Sequence, residues 1–201
     1  MVQTLEGRFA LLRQRKYAIP GDTLAPVGGL IDAHESPLAA AQRELLEELG
    51  LGSRQTSRAV RQHARRHKLG NDPDVATVAE LIARDGDPPR KDVHGLLDGR
   101  PVPPAPAAPD VDADWVFLGR YRTAANRGGG FLYSYLLKNA VPLVPRGGTA
   151  EYRGTGDGEA QEILYLEESE VRRALSEGLF QEVKWTATFS LAMLHLQEGG
   201  K

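Results

Sequence analysis

The run "RELLEEL", residues 43–49, constrains this chain more than any other stretch. It places Glu44, Glu47 and Glu48 at i, i+3 and i+4. On a helix that spacing puts three carboxylates on one face, a few ångströms apart. Leu38, Ala41, Leu45 and Leu49 recur at helical spacing and form the stripe that faces a core. Ser36 suits the N-cap, Pro37 the first helical position and Gly50 the C-terminal stop. Crowded like charges cost a helix about 0.2–0.5 kcal/mol per pair, and they repel unless some are protonated or a cation sits among them. An all-oxygen ligand set suits Mg2+ or Mn2+, ions that keep waters and bind substrate phosphates. Arg43 can pair with Glu47 at i+4 and hold the carboxylates in place. The loop before the helix carries Gly28 and Gly29, which let the backbone approach a ligand closely. An isolated run of this kind is most often a solvated helix face, so the wider spacing has to decide.

Strands and helices interleave on either side. "GRFALLRQRKYAI" reads as a strand leaving a buried sheet, and "PGDTLAPVGG" as turn. "DWVFLGRY" (114–121), "FLYSYLL" (131–137) and "EILYLE" (162–167) read as further strands. "ESEVRRALSEG" and "KWTATFSLAMLHL" read as helices, the second buried through Phe189, Leu191 and Leu194. This order predicts an α/β or α+β class. Residues 53–113 differ in character. "SRQTSRAVRQHARRHK" reads as a helix with no obvious apolar face, Asp72-Pro73 opens a second helix, and residues 99–110 form a proline-rich extended linker. We read 53–113 as an insertion within a single domain spanning 1–201.

Composition narrows the classes. The chain has 201 residues, 41% of them hydrophobic and 26% charged, which is enough for one core of ordinary size. A net charge of -2 excludes a globally basic nucleic-acid binder. With no cysteine there is no disulfide frame, thiolate nucleophile or cysteine-bound zinc. No apolar run reaches the ~20 residues a membrane span needs, and "MVQTLEGRFALLRQRKY" lacks the pattern of a secretory signal. The expected location is therefore cytoplasmic or an organelle interior, with no membrane partner.

Gly29, Glu35, Arg43, Glu44, Leu45, Glu47, Glu48, Gly50 and Leu51 together spell G-x5-E-x7-R-E-U-x-E-E-x-G-U, with U aliphatic, complete over 23 positions. The chain resembles the Nudix hydrolases. That resemblance implies a three-layer α/β/α sandwich with a mixed β-sheet, carrying here a helical and proline-rich insertion. It implies a metal-dependent enzyme cleaving a nucleoside diphosphate linked to another moiety. Glu44, Glu47 and Glu48 map onto the metal-binding glutamates, Arg43 onto the orienting arginine and Glu35 onto the first glutamate of the box. The carbonyl of Gly28 falls where this family often adds a backbone ligand. The flanks, "RQRKY" leading into "LAPVGGLID" and "GDGEAQEILYL" before a closing helix, are similar to the ADP-ribose and ADP-sugar pyrophosphatase branch. That branch carries a further glutamate before its last strand, matched best by Glu159 and next by Glu162. General-base work falls to a box glutamate or to Glu159, and AMP plus a sugar phosphate would be the products.

The branch also has an N-terminal β-subdomain that helps make a homodimer and hold the adenine. Here only about seven residues precede the first core strand, counted from its strand signals. Arg13 on that strand and Arg127 in "RTAANRGGG" are candidate substrate contacts, and Trp115 and Tyr133 are candidate stacking partners for a base. Arg54, Arg58, Arg61 and Arg65 recur on one helix face, within an acid-free stretch from Ser53 to Lys68. That stripe is a candidate surface for RNA or an acidic protein, with a solvated helix as the plainer reading. Two rival functions follow: the same fold acting on dinucleoside polyphosphates or RNA 5' ends, and an interaction subunit docking through the insertion.

Overall fold

The apolar run Phe9-Ala10-Leu11-Leu12 has no polar alternation, which is the mark of a strand covered on both faces. In the computed structural model it begins β2 (Phe9–Lys16), and all four side chains are buried. The structure describes residues 1–66, 112–126, 130–143 and 161–198. The expected helix from Asp72, the proline-rich stretch 99–110, Arg127 and Glu159 lie outside these residues.

Along β2 the side chains alternate between two cores. Phe9 and Leu11 join Leu136, Val171, Phe180 and Phe189 on one face. Ala10 and Leu12 join Leu38, Leu45, Leu49 and Leu137 on the other. The elements are β1 (Val2–Thr4), β2, β3 (Ile19–Ala25), α1 (Pro37–Leu49), β4 (Leu51–Gly52), α2 (Arg54–Arg66), β5 (Trp115–Arg122), β6 (Phe131–Pro142), β7 (Gln161–Leu166), α3 (Glu168–Ser176) and α4 (Val183–Glu198). Among the described residues, seven strands form one mixed sheet in the order β3-β2-β1-β6-β4, with β5 on β6 and β7 on β2. The β1–β6 pair is parallel and the other pairs are antiparallel. Helix α1 covers one face while α3 and α4 cover the other, so the layers are α/β/α. Each large side chain buried in these layers contributes roughly 1.5–3 kcal/mol.

Helix α1 starts and stops where its sequence says. Ser36 Oγ accepts the Ala39 N–H at 3.1 Å, Pro37 opens the first turn, and Gly50 closes the helix at φ +64° with its N–H on the Leu46 carbonyl. Leu38 and Leu45 are fully buried, Leu49 nearly so.

Three expectations need correction. The stretch before Phe9 is not a bare lead-in: Val2–Thr4 forms β1, inside the sheet between β2 and β6. Three residues are too few to show periodicity, so nothing local marks them. Helix α2 does have a buried side, made of Val60 and Ala64 with the small polar Thr56 and Ser57. Their hydroxyls hid that face from a hydropathy reading. Ser53 Oγ accepts the Thr56 N–H at 3.0 Å, and Arg54 binds the buried Asp114 carboxylate through Nε at 2.8 Å, so the start of the insertion is packed against the core. In α4 Phe189 is buried, but Leu194 is 57% exposed. The buried stripe runs Thr188, Phe189, Ala192 and Met193, and Leu194 lies two residues, about 200°, beyond Ala192.

Candidate active site

One guanidinium organises the acidic face of α1. Arg43 donates through Nε and Nη2 to the two oxygens of Glu35, at 3.0 and 3.1 Å. Its Nη1 donates to Glu44 Oε1 at 2.9 Å and to Glu47 Oε2 at 3.2 Å. Nη2 also reaches the Leu30 carbonyl at 3.0 Å. The fork on Glu35 is the bidentate geometry that only arginine supplies. It ties the loop at residues 30–35 to the helix while partly neutralising three carboxylates. The hydrogen bonds from Arg43 hold the Glu35 carboxyl below its usual range, and Glu35 in turn raises Arg43 above its own. Asp32 closes the loop: its N–H donates to Glu35 Oε2 at 3.1 Å. No motif position marked Asp32 or the Leu30 carbonyl; only the folded loop shows them.

Glu48 turns the other way. Its Oε2 accepts the Gly28 N–H at 3.3 Å. Burial pushes its carboxyl up to about 7, with the charge of Glu44 adding and the Gly28 N–H and Lys16 opposing. Glu44 is also raised, by burial first, although Arg43 pulls it down. The face therefore holds two carboxyls that resist ionisation, both oxygen donors and both partly desolvated. A divalent cation relieves that situation, because it favours the charged form of each carboxylate. Gly29 supports the fit. A Cβ at that position would overlap the Glu44 carboxylate, so a side chain there would push that carboxylate from its place. The carboxylates are divided between Arg43 and the Gly28 N–H. Among the described residues, no three acids close into a ready metal cage.

A cleft of about 470 Å³ opens beside this face. Gly28, Gly29 and Glu44 form one wall, Tyr133 lies on another, and Lys184 and Trp185 from the start of α4 stand at a third. Sequence reasoning missed Lys184 and Trp185. They belong to a segment read as a core helix, and only tertiary packing brings that first turn to the cleft. Tyr133 lines the cleft as a half-buried side chain. Trp115 is 6% exposed and packs edge-on against Tyr135 at 6.1 Å, so it is chiefly wall.

Other expected residues lie apart. Arg13 shares the strand parity of Phe9 and Leu11, on the face opposite α1, and binds Glu162 Oε2 at 2.7 Å. Neither is brought to the α1 carboxylates. On α2, Arg54 is committed to Asp114, which leaves Arg58, Arg61 and Arg65 as an exposed row. Among the described residues, no helix is long and apolar enough to cross a membrane.

Comparison with known proteins bears on the family and the fold. The family model described as NUDIX domain matches residues 2–117, more than half of the chain. A solved structure described as "Crystal structure of ADP compounds hydrolase" is similar at a TM-score of 0.56 and 16% identity, covering 100% of this chain and 72% of that one. At that identity the likeness concerns the fold. No curated protein matches the chain.

Proposed function

The chain belongs to the NUDIX domain family of hydrolases, and from that premise we propose a pyrophosphatase acting on a nucleoside diphosphate linked to another moiety, with ADP-ribose or an ADP-sugar as the substrate. One observation carries this reading. The cleft is lined by one desolvated carboxyl of α1, Glu44, and by Gly28 and Gly29, and the Gly28 N–H ties that wall to a second desolvated carboxyl of the same helix, Glu48. A scaffold protein has no use for such a costly wall. The structural neighbour, described as a hydrolase of ADP compounds, supports the substrate class.

Enzymes of this family generally use divalent cations. Here Glu44, Glu47, Glu48 and the Gly28 backbone would hold Mg2+ or Mn2+. Bound cation supplies charge neutralisation of the pyrophosphate and an activated water. The chain's own groups do the rest. Arg43 positions Glu44 and Glu47 and locks Glu35 to the helix, so the carboxylates keep their places when phosphate arrives. The Gly28-Gly29 loop lets the diphosphate lie against backbone. The walls of the cleft shield the reacting end from bulk water, which strengthens every charge interaction inside it. The proton of the attacking water would pass to a carboxylate that the cation leaves free, a role open to a box glutamate or to Glu159. Glu159 and Arg127 remain the candidate loop base and phosphate contact.

The test is a panel of ADP-ribose, ADP-glucose, a diadenosine polyphosphate and triphosphorylated RNA, incubated with the protein and Mg2+ beside Glu48→Gln. Release of AMP from the ADP-linked compounds by the wild type, and not by the variant, is the expected result. No Glu48-dependent release of a monophosphate or pyrophosphate from any of the four removes the enzyme reading.

A further inference from the structure

The cleft beside the carboxylate face has a second end, built by the first turns of α4 against β6. Trp185 and Thr188 stand three residues apart on α4 and so project side by side, with Lys184 one turn back from Thr188 on the same flank. Thr188 Oγ1 meets Ser134 Oγ of β6 at 2.9 Å. All four residues line the cleft that Glu44 lines. Ser134 is 1% and Thr188 6% exposed, so the hydroxyl pair forms a floor, with the half-buried Trp185 beside it. The hydrogen bonding of this floor is incomplete. Two hydroxyls carry two protons, and their mutual bond uses one. Among the described residues neither oxygen has a further partner, and the Trp185 indole N–H has no acceptor. Lys184 differs, because Glu182 holds its ammonium at 2.7 Å.

The uncommitted groups at this end are therefore neutral donors, and its one cation is already paired. A phosphate would find no unpaired charge here. A sugar would bring a hydroxyl on nearly every carbon, and each one buried without a partner costs free energy. The surrounding walls offer few partners, since Val2, Val27 and Leu132 supply them as apolar surface. A nucleobase fits better: its two faces are apolar, and its polar atoms lie only on the rim. A mostly apolar pocket with a few placed polar groups is what such a ring needs. We propose that the α4 end of the cleft seats the nucleobase, with Trp185 flanking the ring and the Ser134–Thr188 pair donating its free O–H to an acceptor atom on the rim. This rests on the pyrophosphatase reading and refines its specificity. The nucleoside half of the substrate enters the cleft, its diphosphate lies on the carboxylate face, and the linked moiety stays at the mouth. Trp185 and Thr188 are then specificity-determining residues, and selection acts on the base rather than on the linked moiety.

The experiment compares kcat/KM for ADP-glucose, GDP-glucose and UDP-glucose, which differ only in the base, and for ADP-ribose, which shares its base with the first and differs in the sugar. The wild type is expected to favour one base by at least about tenfold and to treat ADP-glucose and ADP-ribose alike within about threefold. Thr188→Val keeps the shape and removes the hydroxyl, and Trp185→Leu removes the ring. Each should narrow the base ratio by at least about threefold, through KM with kcat kept, and the ring-keeping Trp185→Phe should fall between. Where Trp185→Leu fails to fold in a urea melt, Thr188→Val and Trp185→Phe carry the comparison. A wild type that separates the two sugars more than the three bases overturns the seat. So does a base ratio that the folded variants leave unchanged, as equal losses on every substrate would give. If the wild type cleaves none of the four, the pyrophosphatase reading has failed separately, and the seat is read by calorimetric titration with AMP and ribose 5-phosphate. AMP binding at least about tenfold tighter, and weakened in Thr188→Val, keeps it. Equal binding of the two removes it.

Discussion

Glu48→Gln should make the metal-free protein more stable at alkaline pH while abolishing its activity. The Glu48 carboxyl is pushed from an ordinary 4.5 to about 7, chiefly by burial and then by the charge of Glu44. A raised carboxyl pKa means that the folded state prefers the protonated form. The wild type therefore loses stability as pH rises from the unfolded value through the folded one, and the loss is complete above about 7. Each pKa unit is 1.36 kcal/mol, so the loss amounts to about 3 kcal/mol. Glutamine has nearly the same shape, stays neutral, and can still accept the Gly28 N–H through its amide oxygen. In urea melts with EDTA, the variant should exceed the wild type by up to about 3 kcal/mol at pH 8 and by almost nothing at pH 4.5. Added Mg2+ should then raise the midpoint of the wild type and not that of the variant, because the cation favours the charged carboxylate. A variant less stable than the wild type at pH 8 in EDTA, or a difference that does not change with pH, would refute the argument that Glu48 is held in an unfavourable ionised state.

Arg43→Lys should behave as a loss rather than a conservative change: an ammonium cannot fork onto Glu35 while reaching Glu44 and Glu47, and the partly buried network should weaken by about 2–3 kcal/mol in the same melts. Gly29→Ala should leave the fold within about 1 kcal/mol, since the loop is exposed, yet cut kcat/KM at least about tenfold, because its Cβ displaces the Glu44 carboxylate. Asp114→Ala should destabilise by about 1–2 kcal/mol in the same melts, because it removes a buried carboxylate that accepts from Arg54 and Asn139, while the exposed Arg54 is resolvated by water. The Asp114 carboxyl is held below its usual range by Arg54 and Asn139 against burial, so its contribution is present above the unfolded pKa and fades as pH falls through the lowered one.

How much of this was legible in the sequence depended on how many residues shared one signal. Helix α1 could be read to its caps because Ser36, Pro37, Gly50 and the leucine stripe all agree. The carboxylate face was legible for the same reason, since helical spacing alone brings Glu44, Glu47 and Glu48 together. What Arg43 does was only half legible. Its pairing with Glu47 follows from i+4, whereas the fork on Glu35 depends on how the loop at residues 30–35 folds back. The approach of Lys184 and Trp185 to the cleft had no local trace, because nothing in "VKWT" says which end of α4 meets α1 across the sheet.

The bulge at Gly119 shows most directly why side-chain direction on a strand cannot be taken from alternation alone. In "WVFLGRYR" a strict period of two puts Trp115, Phe117, Gly119 and Tyr121 on one face, with Arg120 and Arg122 on the other. That reading is reasonable, and it would have removed both arginines from the side of the sheet that holds α1. The glycine is the one sign against it, since an isolated glycine in a strand pattern suggests a bulge, but it says neither how many residues slip nor which way. The answer comes from β6. Its aromatic file Phe131, Tyr133 and Tyr135 is anchored in the core by Tyr135, so the partner strand must adjust to it. The pairing of two strands, and not the box, therefore decides which side chains of β5 face α1. A relative that kept all the box residues but lacked the equivalent of Gly119 would turn the two arginines to the opposite face and leave the carboxylate face of α1 as it is.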